Sequence, residues 1–239
     1  MKVTHEVVML WVAAGLTLLV LGVGARLIAS STVVTGRFAN MVESMVDFVR
    51  TNIVEEFLGE HATKWFGFFA ALFFFILFCN LLGKLPIPGF ETPTGNINVT
   101  VALAVTVFVV AQAVGIYELG LIGYCKKKFL LPGAPWWVQP VAVIIMPIVL
   151  IAEPFSLCVR LFANMTAGHL VLMTFATGQM VGGVWLLHHQ NLFVRPGAAL
   201  PFALSVVLLA FESFVAFIQA FIFALLSALY LSESLEEHH

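Results

Sequence analysis

Charge is what this sequence has least of. Of its 239 residues, 10% are Asp, Glu, Lys or Arg, where a soluble domain carries about 25%. With 61% hydrophobic residues and a mean hydropathy of +1.04, that shortage excludes a water-soluble globular protein and indicates an integral membrane protein. The formal net charge of −2 excludes a polybasic surface for nucleic acid. Cysteine is scarce too. Cys79, Cys125 and Cys158 are scattered, without metal-ligand spacing, and each lies in or beside an apolar run. They read as core thiols, and no metal site is expected. An H-E-x-x-H motif is absent, which excludes the usual intramembrane metalloprotease chemistry. Only His169 lies deep in an apolar segment, so facing histidine pairs for haem are missing. Internal repeats, paired broken helices and low-complexity tracts are also absent, which speaks against a secondary transporter. No Arg-rich, Ser-rich transit peptide is visible. The first apolar run is too long for a signal-peptide core and reads as a retained membrane helix.

What is present is a series of apolar segments. Residues 7–28 suffice for one span, since about 20 apolar residues cross a bilayer. Over residues 37–58 the pattern changes. Phe38, Met41, Val42, Met45, Val49, Ile53 and Phe57 recur at helical spacing, opposite Glu43, Asp47, Arg50, Glu55 and Glu56. This is an amphipathic helix suited to the membrane surface, or to packing on a partner's stalk. Residues 65–82 form a Phe-rich second span, followed by Lys84 and a loop rich in Pro and Gly over 85–96. Residues 98–125 form a third span that ends in Lys126, Lys127 and Lys128. The positive-inside rule places that cluster in the cytoplasm. Counting back puts the N-terminus outside and Arg26, Arg37, Arg50 and Lys64 inside, with Lys84 the lone exception. Trp136 and Trp137 suit an interfacial anchor.

The last two segments, 138–187 and 198–231, are too long to stand upright. A straight helix of the second would reach ~50 Å, against a hydrocarbon core of ~30 Å. The first is longer and holds Pro140, Pro147 and Pro154, so it must kink, break or lie obliquely. The expected fold is an all-α integral membrane protein in one membrane domain, residues 1–239. It has about five membrane helices plus one amphipathic surface helix, and the last two spans form a long, steeply tilted hairpin.

That hairpin carries the informative polar residues. Arg160 cannot be deprotonated in a protein, and an ionisable residue at membrane depth marks a functional site. At helical spacing Glu153, Arg160 and Asn164 share a face, with the small residues Ala163, Ala167 and Gly168 nearby. On the second hairpin helix Glu212 and Gln219 share a face. Antiparallel packing pairs His169 with Glu212 at one level and Arg160 with Gln219 at another. Each polar residue alone is also compatible with a structural bridge between helices. The acid for Arg160 comes either from a second protein or from Glu153. His titrates near neutral pH and a desolvated Glu can be raised toward that range, so a His–Glu pair suits proton relay. Arg160 suits a barrier or a latch for a carboxylate.

Three stretches carry a resemblance. They are Pro154-Phe-Ser-Leu-Cys-Val-Arg-Leu-Phe-Ala-Asn-Met-Thr-Ala-Gly-His169, Gln219-Ala-Phe-Ile-Phe-Ala-Leu-Leu-Ser-Ala-Leu-Tyr-Leu231 and Pro93-Thr-Gly-Asn-Ile-Asn-Val-Thr100. Together, in this order, they resemble subunit a, the membrane stator subunit of rotary F-type ATP synthases. The resemblance implies a non-catalytic subunit of that complex, with no cofactor of its own. It implies two offset half-channels against a rotating ring of c subunits, whose helices carry buried acids. Arg160 would match the essential arginine that faces the ring and blocks leakage. Asn164, His169 and Glu212 would line the outer half-channel, with Asn96 and Asn98 near the path, and Gln219 would hold Arg160. Further partners implied are the b-subunit peripheral stalk, the rest of the synthase and the lipid bilayer. A bacterial inner membrane is the expected location, with the C-terminus cytoplasmic. Two features depart from the family pattern. Glu153 stands where many members have Lys or Arg, and could line the exit path. Met146 stands where some members carry a carboxylate. A stand-alone ion channel or transporter is the competing reading.

Overall fold

The computed structural model describes residues 5–30, 37–84, 92–129, 137–188 and 196–235. The Pro-rich residues 85–91, Trp136 and the last four residues of the tail lie outside the described residues. Among those described, the chain is helical and contains no strand. Five helices are long and apolar enough to cross a membrane.

Helix α1, His5–Ser30, is apolar on all sides. It packs on α4 (Ala62–Leu82) and buries Met9, Ala13 and Thr17. The Thr17 hydroxyl donates to the Ala13 carbonyl at 2.8 Å, which satisfies a polar group at membrane depth. The amphipathic stretch is built from α2 (Arg37–Val49), a π-helical turn (Arg50–Glu55) and the short α3 (Glu56–Leu58). Val42, Val46, Val49, Ile53, Val54 and Leu58 are buried, while Asp47, Arg50, Glu55 and Glu56 are exposed. The wider π turn brings Ile53 and Val54 together onto the inner face. That face lies on α4 and on α7 (Pro196–Leu235), with Phe48 against the rings of Phe217 and Phe221.

Helix α4 is the centre of the bundle. Phe69, Phe73, Phe74, Ile76, Cys79 and Asn80 are all buried. Its rings meet edge to face, Phe68 with Phe69 at 5.2 Å and Phe73 with Phe217 at 5.7 Å, the geometry favoured by the ring quadrupole. Helix α5, Ile97–Phe129, begins where the Asn96 side chain accepts the Asn98 backbone N–H at 3.0 Å, an N-cap. It is not straight. Gly120 has φ 69° and ψ 160°, a region open essentially to glycine. The kink turns residues 121–129 so that the Tyr124 ring lies over Gly115 and the Tyr124 hydroxyl donates to Gln112.

Helix α6, Gln139–His188, runs unbroken through Pro147 and Pro154. Of the three accommodations expected for this segment, a break is thereby removed. At 1.5 Å per residue α6 would extend ~75 Å and α7 ~60 Å. The two helices pack together, and α6 also packs on α5. Cys158 Sγ on α6 lies 3.4 Å from Thr100 Oγ1 on α5. Helix α7 turns Ala216, Ala220, Ala224 and Ala228 inward at a spacing of four residues, all fully buried. These small side chains let the neighbouring helices approach closely.

Candidate functional site

Three polar zones line the packed helices. The first joins the end of α4 to the middle of α7. Asn80 donates to the Ala216 carbonyl at 3.4 Å and accepts the Thr94 hydroxyl at 2.8 Å. One turn further along α4, and one turn back along antiparallel α7, the Lys84 ammonium meets Glu212 Oε2 at 3.2 Å. Both side chains are nearly enclosed, 9% and 8% exposed. The second carboxylate oxygen, Oε1, is buried and has no hydrogen-bond partner among the described residues. Gly168 of α6 backs this carboxyl: a Cβ there would lie 3.6 Å from both Glu212 Cδ and Oε2. Glu212 thus sits in ordinary van der Waals range of α6.

That contact sets the register of the hairpin. His169, next to Gly168, belongs to the level of Glu212, and its side chain lies outside the described residues. Arg160 is two turns before Gly168, and Gln219 two turns after Glu212, so these also share a level. Gln219 is buried between the helices. Asn164 is half-buried, and its Nδ2 is enclosed without a hydrogen-bond partner among the described residues.

The second zone is the outward face of α6. Arg160 is exposed there. Ala152, Ser156, Ala163 and Ala167, on the same side of the helix, are exposed as well. Among the described residues no carboxylate forms an ion pair with Arg160.

The third zone is a small cleft between α5, α6 and α7, lined by polar groups from Gln112, Lys128, Glu153 and Tyr230. Glu153 is half-buried and shares this cleft with Tyr230 rather than joining the Glu212 cluster. At its rim Lys128 Nζ pairs with Glu233 Oε1 at 3.1 Å, and Lys127 donates to the Glu233 carbonyl at 2.6 Å. Asn96 and Asn98 stand at the start of α5 and bond to each other, at 3.1 Å between side chains.

Comparison with known proteins places the chain in a family. A family model described as ATP synthase A chain matches residues 7–232. The chain belongs to that family. ATP synthase subunit a of Myxococcus xanthus (strain DK1622) is 38% identical over 240 residues, which cover 100% of this chain and 75% of the relative. ATP synthase subunit a of Granulibacter bethesdensis is 39% identical over 222 residues, covering 93% and 85%. For ATP synthase subunit a 2 of Chlorobium luteolum the identity is 37% over 233 residues, covering 96% of this chain but 64% of the relative.

In this ATP synthase A chain homologue, sequence reasoning missed Lys84 as a neighbour of Glu212. The available signal was its place as a basic residue that the charge rule leaves on the outer side. It also missed the groups around Glu153. Gln112 is a lone amide in an apolar helix, which marks it. In the sequence Lys128 stands out only as part of the basic cluster 126–128.

Proposed function

We propose that this chain is the proton-translocating stator subunit of an F-type ATP synthase, not catalytic on its own. It would present two offset half-channels to a ring of c subunits. One observation carries the reading: Arg160 is exposed on α6, flanked by small residues, and has no carboxylate partner among the described residues. A permanent charge at membrane depth is costly unless an acid reaches it. Small neighbours allow another helix to bring that acid close.

Protons enter from the outer side past Asn164, His169 and Glu212, with Asn96 and Asn98 on the turn at the start of α5. They neutralise a ring carboxylate, and the ring turns. They leave through the cleft around Glu153 on the side of Lys127 and Lys128, which the positive-inside rule makes cytoplasmic. Gln219 stands at the level of Arg160 and helps to hold it. Arg160 stays charged and so separates the two paths. Each charge crossing 100 mV supplies ~2.3 kcal/mol, so several crossings accumulate per ATP. The peripheral stalk of b subunits and the rest of the synthase hold this subunit against the ring, in a bacterial plasma membrane. A stand-alone channel would enclose its charged residue around a pore, whereas Arg160 faces outward.

The test is ATP-driven proton pumping in vesicles containing the assembled complex, comparing wild type with Arg160→Ala. Pumping is expected to fall to background while the catalytic head remains bound. Near wild-type pumping in the variant would overturn the assignment.

A further inference from the structure

We infer that Lys84 is a positioning residue of the proton path: it holds Glu212 by Oε2 and leaves Oε1 as the one atom through which that carboxyl exchanges a proton. The inference rests on the reading of Glu212 as a proton-path residue. Three features support it. Lys84 Nζ and Glu212 Oε2 are 3.2 Å apart, with both side chains more than nine-tenths enclosed. Glu212 Oε1 is buried and unpartnered among the described residues. The carboxyl lies against α6 at Gly168, the residue before His169. The pair is also tied to a second rung one turn away, where Asn80 meets the Ala216 carbonyl. The two contacts join the end of α4 to the middle of α7.

The other groups at this level are few. Helix α4 brings Lys84 and the uncharged Asn80, and α6 brings His169. Residues 92–116, which include the turn and the first part of α5, carry no charged residue or histidine. The amphipathic stretch meets α7 further along, at Phe217 and Phe221, and its Asp47, Arg50, Glu55 and Glu56 are exposed. Among the described residues, the Lys84 ammonium at 3.2 Å is the charge paired with Glu212. That contact fixes which oxygen of the carboxyl is held and which is left open toward α6.

The experiment measures proton conduction through the membrane sector, with the catalytic head stripped from vesicles of the assembled complex. A potassium diffusion potential drives the flow, and the rate is followed against pH. The variants are Lys84→Gln, Lys84→Arg and Glu212→Gln. Lys84→Gln removes the charge and leaves an amide donor on a side chain one bond shorter. Its conduction near neutral pH is expected to fall about tenfold, less than the ~100-fold that loss of a proton-transferring group itself costs. Lys84→Arg, which keeps a cation able to hold Oε2, should conduct close to wild type. A Lys84→Gln variant with the wild-type rate and pH profile overturns the inference. So does a Lys84→Arg variant as impaired as Lys84→Gln, or a Lys84→Gln variant that fails to assemble while Lys84→Arg assembles, because Lys84 is then a structural rung only. Glu212→Gln separates the two readings. If it conducts normally, the role of Glu212 fails; if it is impaired while Lys84→Gln is normal, only the role of Lys84 fails.

Discussion

Asn80 serves two partners from a position that solvent does not reach. Its amide joins α7, and its carbonyl takes the Thr94 hydroxyl, which is itself fully buried. Asn80→Leu would strand that hydroxyl, at a cost of about 1–3 kcal/mol. Removing both partners of a buried bond is milder than removing one. The double variant Asn80→Leu/Thr94→Val should therefore be less destabilised than the sum of the single variants. Thermal midpoints of the purified complex in detergent would check this, and simple additivity would refute it. Arg160, Glu212 and Gln219 were legible in the sequence because a polar residue inside an apolar run stands out against its own helix. The ion pair of Lys84 with Glu212 was not. Its members are 128 positions apart, and no periodicity links the end of α4 to the middle of α7. The level shared by His169 and Glu212 followed from counting turns on an antiparallel hairpin, and Gly168 against Glu212 is the contact that realises it.

Apolar run length located the membrane helices well, since a bilayer demands ~20 residues of them. The bend in α5 was not readable that way. A single Gly inside a helical pattern is usually tolerated, and nothing around Gly120 announces its backbone angles. Yet that one residue assembles the cleft. With φ 69° and ψ 160° it swings residues 121–129 back, placing Tyr124 on Gln112 and Lys128 on Glu233. Gly120→Ala would strain the backbone by about 1–3 kcal/mol or straighten α5 and pull these contacts apart. The expected result is slower pumping with a lowered thermal midpoint. Gly123→Ala is the control, because its Cβ would make only an ordinary 3.6 Å contact with Leu119. Equal effects of the two substitutions would show that the bend does not matter. The prolines of α6 teach the converse. Pro147 and Pro154 each remove a backbone donor, but the helix continues through both, so proline content overstated the chance of a break.

At the scale of the whole molecule, an exposed apolar face needs no explanation in a membrane, since lipid covers Leu18, Leu19 and Trp11 of α1 as readily as Ile144 and Ile148 of α6. What lipid does not account for is Arg160 among Ala152, Ser156, Ala163 and Ala167. Bulky side chains would shield a charge from tails, whereas small ones bare the helix and invite another backbone to within contact. The same logic is at work inside the protein, where the buried alanines of α7 admit α4 and α6. The stripe on α6 is thus a helix-packing surface without its helix among the described residues. Single cysteines can test this in the assembled complex, once exposed Cys125 is replaced; Cys79 and Cys158 are buried. Ser156→Cys and Ala163→Cys should form disulfides with cysteines placed on the ring helices near their buried acid, and Leu18→Cys on α1 should not. If all three react alike, or only Leu18→Cys reacts, the ring does not run against α6 and Arg160 has some other acid. If the two α6 positions react and rotation driven by ATP stops when they do, the exposed arginine and the moving carboxylate share one surface.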